Sequence, residues 1–222
     1  RVLEISESGV NRALERLDVL LLINPNNPTG RHFSPAQLLA WHARLAERGG
    51  WLIVDEAFID TTPAQSLAAY SGEPGLIVLR SFGKFFGMAG IRLGFVLAEQ
   101  ALLDRLDGLL GPWTISGPAR FVASRLLQDQ PAQVRQRERL LVDGERLATL
   151  LRGHGLPPTG GCALFQWIAS ERAKLLHEFL ACNGILTRLF TQPASLRFGL
   201  PADESGWQRL DQALAMFARE CL

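Results

Sequence analysis

Lysine is almost missing from this sequence. Of its 23 cationic residues only Lys84 and Lys174 are lysines, and the rest are arginines. Arginine forms no stable imine, whereas lysine does, so each surviving amine is a marked candidate for covalent chemistry. Cysteine is also scarce. Cys162, Cys182 and Cys221 are an odd, dispersed set with no Cys-x-x-Cys and no histidine at ligand spacing. That pattern excludes a disulfide framework and predicts no metal site, and it places the chain in a reducing cytoplasm. No basic run is present, and 23 Lys+Arg against 22 Asp+Glu leave a net charge of +1. A protein dedicated to nucleic acid or to a membrane surface needs a basic face, so both classes are disfavoured. The longest aliphatic run, Val19–Ile23, is far too short to span a bilayer. The opening Arg1-Val2-Leu3-Glu4 mixes charges as no signal peptide does, and it lacks a methionine, from which we expect a fragment or a processed product.

What is present is ample apolar content, 47% of 222 residues, enough for a large core. Residues 18–24 form an apolar run that ends in Pro25-Asn26-Asn27-Pro28-Thr29-Gly30, a dense turn cluster. Ser34-Pro35-Ala36-Gln37 then combines an N-cap hydroxyl, a proline at the first helical position and a capping-box glutamine, predicting a helix to Gly49. Further apolar strands are predicted at 51–55, 76–80 and 93–97. All-apolar strands separated by helix-sized segments indicate a mostly parallel sheet covered on both faces, a three-layer α/β/α domain. Ligands in such sheets sit beyond the carboxyl ends of the strands, where this sequence carries Asn27, Asp55 and residues 81–84.

Beyond Pro112 the pattern predicts helices at 118–128 and 131–152, the second bridging to a smaller α/β domain. A Gly/Pro-rich connection at 153–161 leads to strands at 163–168, 185–189 and 195–199, with helices at 172–182 and 203–219. The expected division is a large domain over 1–130 and a small one over 131–222. In the last helix Trp207, Leu210, Leu214 and Phe217 fall at helical spacing and predict core.

Lys84 stands in Ser81-Phe82-Gly83-Lys84-Phe85-Phe86-Gly87. Flanking phenylalanines predict a poorly solvated amine, which favours the neutral nucleophile; the alternative is a snorkelling surface lysine. Asp55 closes an apolar strand and calls for a cation such as a pyridinium nitrogen, or else caps the segment that follows. Ser81 and Arg92 together suit a phosphate monoester, each alone being an ordinary polar residue. Arg80 reads as a substrate-phosphate contact or a strand-end salt bridge. The four histidines, at 32, 42, 154 and 177, are scattered and read as structural or solvated.

These residues resemble the fold-type I pyridoxal-phosphate enzymes, the aspartate aminotransferase superfamily, from about Val19 onward. Asn24-Pro-Asn-Asn-Pro-Thr-Gly30 resembles the loop whose asparagine, here Asn27, binds the cofactor 3-oxygen. Asp55-Glu-Ala-Phe58 resembles the segment of the pyridinium partner Asp55, with Ala57 against the ring face. Ser81-Phe-Gly-Lys84 resembles the Schiff-base lysine segment, Arg92 the phosphate arginine, and Leu196-Arg197-Phe-Gly199 the strand whose arginine holds the substrate carboxylate. The resemblance therefore implies pyridoxal 5'-phosphate as cofactor, Lys84 and Asp55 as catalytic residues, an amino-acid phosphate as substrate and a homodimeric parent. Phe58 stands where many relatives have tyrosine, and Gly83 where histidinol-phosphate aminotransferases carry a hydroxyl. With Gly184-Ile-Leu-Thr-Arg188 and Leu196-Arg-Phe-Gly-Leu-Pro201, these departures are most similar to the threonine-phosphate decarboxylases of cobalamin synthesis.

Nothing before Val19 resembles the superfamily's glycine-rich phosphate loop or its ring-stacking aromatic. The expectation is a chain lacking its N-terminal third, a poor enzyme by itself, with apolar surface bared around 19–23 and 51–54. The rival readings are a histidinol-phosphate-type aminotransferase, a non-catalytic effector domain of a transcription regulator that senses the cofactor, and a non-functional fragment.

Overall fold

The computed structural model describes residues 7–221; the Arg1–Glu4 opening lies outside them, and so does the side chain of Cys221. The fold is α/β and falls into two compact units. The first comprises the described residues up to Pro25 together with His32–Gln133, and the second comprises Asn26–Arg31 and the residues from Val134 onward.

In the first unit α1 (Glu7–Ala13) precedes β1 (Val19–Ile23), α2 (Pro35–Ala46), β2 (Trp51–Asp55), β3 (Leu76–Ser81), β4 (Gly94–Leu97), α3 (Gln100–Leu110) and α4 (Gly117–Gln128). The strand order is β1-β2-β3-β4; the first two junctions are parallel and the last is antiparallel. Helix α2 begins as its sequence dictates: the Ser34 hydroxyl accepts the Gln37 N–H at 3.2 Å, and Pro35 fills the first turn. It buries Leu38, Trp41 and Leu45 against Leu20, Leu52, Val54, Leu76 and Val78, which alternate along one face of the sheet. Each buried leucine contributes roughly 1.5–3 kcal/mol relative to exposure.

The opposite face differs from the sheet expected to be covered on both sides. Leu21 is 62% exposed, Val19 44% and Trp51 38%, whereas Ile77 at the sheet centre is buried. The continuous apolar runs signal burial on two faces, but the described chain covers the second face only in part: of the apolar surface expected around 19–23 and 51–54, Val19, Leu21 and Trp51 are bare, whereas Leu20, Leu52 and Val54 are buried. Helix α3, which the sequence pattern did not predict, has no fully buried residue.

Helix α5 (Gln130–Gly153) leads into the second unit, with β5 (Gly160–Cys162), β6 (Phe165–Ala169), α6 (Ala173–Cys182), β7 (Arg188–Thr191), β8 (Ala194–Gly199) and α7 (Glu204–Cys221). Its sheet is antiparallel throughout, in the order β5-β6-β8-β7. Leu147, Leu151, Leu176, Leu180, Trp207, Leu210, Leu214 and Phe217 form its core. Two corrections apply here. The glycine-rich connection ends in a strand, β5, and the strand expected at 185–189 is Arg188–Thr191, which starts three residues later and ends two later. No helix among the described residues is long and apolar enough to cross a membrane, and no cluster of three His, Cys, Asp or Glu residues is placed to hold a metal ion.

Candidate active site

Strand β2 ends at Asp55 and strand β3 at Ser81. The register pairs Asp55 with Leu79, so Asp55, Leu79 and Ser81 project from the same face at adjacent strand ends. Both polar side chains fold the following backbone over the end of the sheet. Asp55 Oδ1 accepts the Ala57 N–H at 3.0 Å, and Ser81 Oγ accepts the Gly83 N–H at 3.1 Å. The capping role for Asp55 is thus present, and its second carboxylate oxygen receives no hydrogen bond among the described residues. Ala57 is half-buried beside it.

Lys84 corrects one expectation. Phe82 and Phe85 turn into the core and Phe86 stacks on Phe82 at 4.2 Å, so the rings that flank Lys84 in sequence do not enclose its amine, which is exposed. The Nζ atom sits 5.5 Å from the Phe58 ring centroid. Arg92 caps a short 3-10 turn in the left-handed region at φ 54°, and its exposed guanidinium donates, among the described residues, only a long 3.5 Å hydrogen bond, to the Ala89 carbonyl.

Sequence reasoning missed the network beneath these residues. Glu56 is fully buried, accepts the Leu67 N–H at 2.7 Å and a hydrogen bond from the Ser66 hydroxyl, and lies 3.8 Å from Arg80. Arg80 also pairs with Asp60, which makes it a strand-end salt bridge. Burial raises the Glu56 carboxyl above its ordinary value, and Asp60 adds to that; the two hydrogen bonds and the Arg80 charge offset it only in part. The signal for Glu56 was a second acid directly after Asp55, which strand alternation sends to the opposite face.

In the second unit the turn cluster divides its asparagines. Asn26 Oδ1 accepts from the Thr29 hydroxyl at 2.8 Å and closes the loop on itself, whereas Asn27 Oδ1 accepts from Arg197 Nη1 at 2.5 Å. Asn24, in the first unit, is fully buried and clamps the Phe33 backbone through both amide atoms, at 2.8 and 3.1 Å. Arg197 lies directly across β7–β8 from Arg188, a second missed residue of the site. Burial, followed by the Arg188 charge, holds the Arg197 guanidinium below its usual value. Two cations facing each other across a ladder are unfavourable by themselves and together suit an anionic ligand. Three histidines have structural partners, Pro74 for His42, Asp211 for His154 and Thr187 for His177; burial pulls His32 below its ordinary value.

The sequence profile of the aminotransferase class I and II family matches residues 4–210. The chain belongs to that family. Among its relatives, the threonine-phosphate decarboxylase of Pseudomonas aeruginosa is 63% identical over 216 residues, which are 97% of this chain and 65% of the relative. The threonine-phosphate decarboxylase of a Sinorhizobium species is 44% identical, over 97% of this chain and 66% of its own length. This member of the family therefore spans about 65% of the length of these relatives. Its fold matches that of the histidinol-phosphate aminotransferase of Sinorhizobium meliloti, solved in complex with pyridoxal 5'-phosphate, with a TM-score of 0.86 at 21% identity, over all of this chain and 65% of that one.

Proposed function

We propose that this chain carries the cofactor- and substrate-binding residues of a pyridoxal-phosphate enzyme that decarboxylates O-phospho-threonine to aminopropanol phosphate in cobalamin synthesis. The observation that carries the reading is the shared face of Asp55 and Ser81 at neighbouring strand ends, with the Lys84 amine, which has no carboxylate partner among the described residues, three residues beyond Ser81. The donor set fits the cofactor: an acceptor for a ring nitrogen, hydroxyl and guanidinium donors for a phosphate, and a lysine for an aldehyde. Pyridoxal phosphate, when bound, supplies an electron-poor ring that takes up the electron pair left by departing carbon dioxide.

Lys84 would hold the cofactor through its aldehyde carbon. The Asp55 carboxylate keeps a proton on the ring nitrogen; two unit charges about 4 Å apart at an effective dielectric of about 20 attract by roughly 4 kcal/mol. Ser81 and Arg92 would anchor the phosphate, Ala57 would support one ring face, and Asn27 would donate to the ring oxygen through its amide. Arg197 holds the substrate carboxylate, with Arg188 opposite it for the second anionic group. By holding the bond from Cα to that carboxylate across the plane of a bound ring, Arg197 would select it for cleavage. The likeness to the Pseudomonas relative supports the substrate class, and the family resemblance supports a cytoplasmic homodimer.

The gene product that contains this chain, loaded with pyridoxal phosphate, should release carbon dioxide from O-phospho-threonine and form aminopropanol phosphate. Consumption of histidinol phosphate with 2-oxoglutarate, and none of phospho-threonine, would replace the decarboxylase with an aminotransferase.

A further inference from the structure

Strand β5 opens with two glycines, and its own hairpin requires only one of them. The turn into β6 lies at 163–164, because Cys162 pairs with Phe165. Gly161 has a φ of +153°, and a Cβ there would meet the Phe165 carbonyl oxygen and Gln166 Oε1 at 2.6 Å, so the hairpin itself demands glycine at that position. Gly160 differs. Its φ lies outside the positive region, so its conformation admits any residue. A Cβ at Gly160 would nevertheless lie 2.1 Å from the Thr29 carbonyl oxygen, with the next neighbours at 3.3 Å, the Thr29 carbonyl carbon, and 3.7 Å, in Trp167. The one severe obstacle to a side chain at 160 is thus the backbone of the asparagine loop. The contact is reciprocal: Gly30, at φ +70°, would bring a Cβ within 2.1 Å of the Gly161 carbonyl oxygen. Two stretches of main chain touch here with no side chain between them.

The loop seated on this contact is closed internally. Asn26 N–H donates to Arg31 O at 2.7 Å, Gly30 N–H to Asn26 O at 2.8 Å, and Arg31 N–H to Thr29 Oγ1 at 3.1 Å. A loop braced in this way moves as a piece, so the position of Thr29 sets that of Asn27, two residues earlier. The Asn27–Arg197 hydrogen bond requires that piece to lie close to β8.

We propose that Gly160 is a positioning residue: its bare Cα seats the Thr29 carbonyl against β5 and thereby fixes Asn27 at Arg197. The seat rests on this geometry, and its consequence for catalysis rests on the reading of Asn27 as a cofactor ligand.

The test compares Gly160→Ala and Gly160→Val with Gly153→Ala, whose added methyl group meets nothing within 4 Å. Amide exchange, read without cofactor, should accelerate about tenfold or more at Asn26 and Gly30 in Gly160→Ala and further in Gly160→Val, and stay unchanged at Ile168 and Leu196. The Gly153→Ala chain should exchange like the wild type. In the cofactor-loaded protein, the pH titration of pyridoxal-phosphate absorbance should move in Gly160→Ala in the same direction as in Asn27→Ala. Wild-type exchange at Asn26 and Gly30 in Gly160→Val overturns the proposal. Equal acceleration at Ile168 and Leu196 also overturns it, because the glycine would then serve stability in general. Accelerated loop exchange with an unmoved absorbance titration, where Asn27→Ala does move it, overturns it as well. An Asn27→Ala chain with an unchanged titration removes Asn27 from the cofactor reading, and the exchange rates alone then decide the seat.

Discussion

Lys84 Nζ lies 5.5 Å from the Phe58 ring centroid and pairs with no carboxylate among the described residues, whereas Lys174, the other lysine, meets Glu178 at 3.8 Å. The aromatic face stabilises an ammonium at such an exposed site by only about 0.5–1 kcal/mol. Among the described residues no ion pair has to be broken before this amine meets an aldehyde. Borohydride reduction in the presence of pyridoxal phosphate should attach the pyridoxyl group to Lys84 and spare Lys174, and Lys84→Ala should lose the label. A peptide map with the adduct on Lys174 would reverse the assignment.

Asp55→Asn should keep the fold, because an amide oxygen still accepts the Ala57 N–H now held at 3.0 Å. It should lower turnover on the order of a hundredfold or more, since the pair energy of roughly 4 kcal/mol at about 4 Å is removed. Steady-state kinetics on a variant with unchanged thermal stability checks this, and wild-type turnover would show that the ring nitrogen has another partner.

Adjacent leucines on β1 should respond unequally to truncation. Leu20 is 7% exposed and belongs to the core, so Leu20→Ala should cost about 2–5 kcal/mol. Leu21→Ala should cost less than about 1 kcal/mol, because its side chain stands on the open face. Urea unfolding of the 222-residue chain measures both; equal losses would mean that the second face is covered in solution.

Glu56 should leave its mark on the pH dependence of stability. Its folded-state carboxyl titrates above the ordinary value because of burial. As pH rises from the ordinary value toward the raised one, the unfolded chain gives up a proton that the folded chain keeps, so folding is progressively disfavoured. Below the ordinary carboxylate value both states are protonated and the contribution is complete. Urea midpoints from about pH 4 upward should therefore fall across that window, and Glu56→Gln should flatten the slope. A wild-type midpoint that rises there contradicts the assignment.

Strands β1, β2 and β3 were legible because each is an aliphatic run closed by a polar residue, which is how a parallel ladder is written in sequence. The end of each run also named Asn27, Asp55 and Ser81. Strand β5 was not legible: Gly160-Gly161-Cys162 has no strand propensity, and it is a strand because it pairs with β6. The exposure of Lys84 depends on which way side chains turn after β3, and sequence order does not encode that direction. Arg188 facing Arg197 depends on the register of β7 against β8, just as the partners of Glu56 depend on chain crossings ten or more residues apart.

The turn cluster also governs how this site ages chemically. Asparagine deamidates when the backbone nitrogen of the next residue attacks the side-chain carbonyl, and that attack needs an N–H. Asn24 and Asn27 are each followed by proline, which has none. The amide that accepts from Arg197 is thus spared the slow conversion to aspartate, which would set a carboxylate permanently against that guanidinium. Asn26, followed by Asn27, has no such protection from its neighbour, but both its backbone and its side chain are tied into the loop.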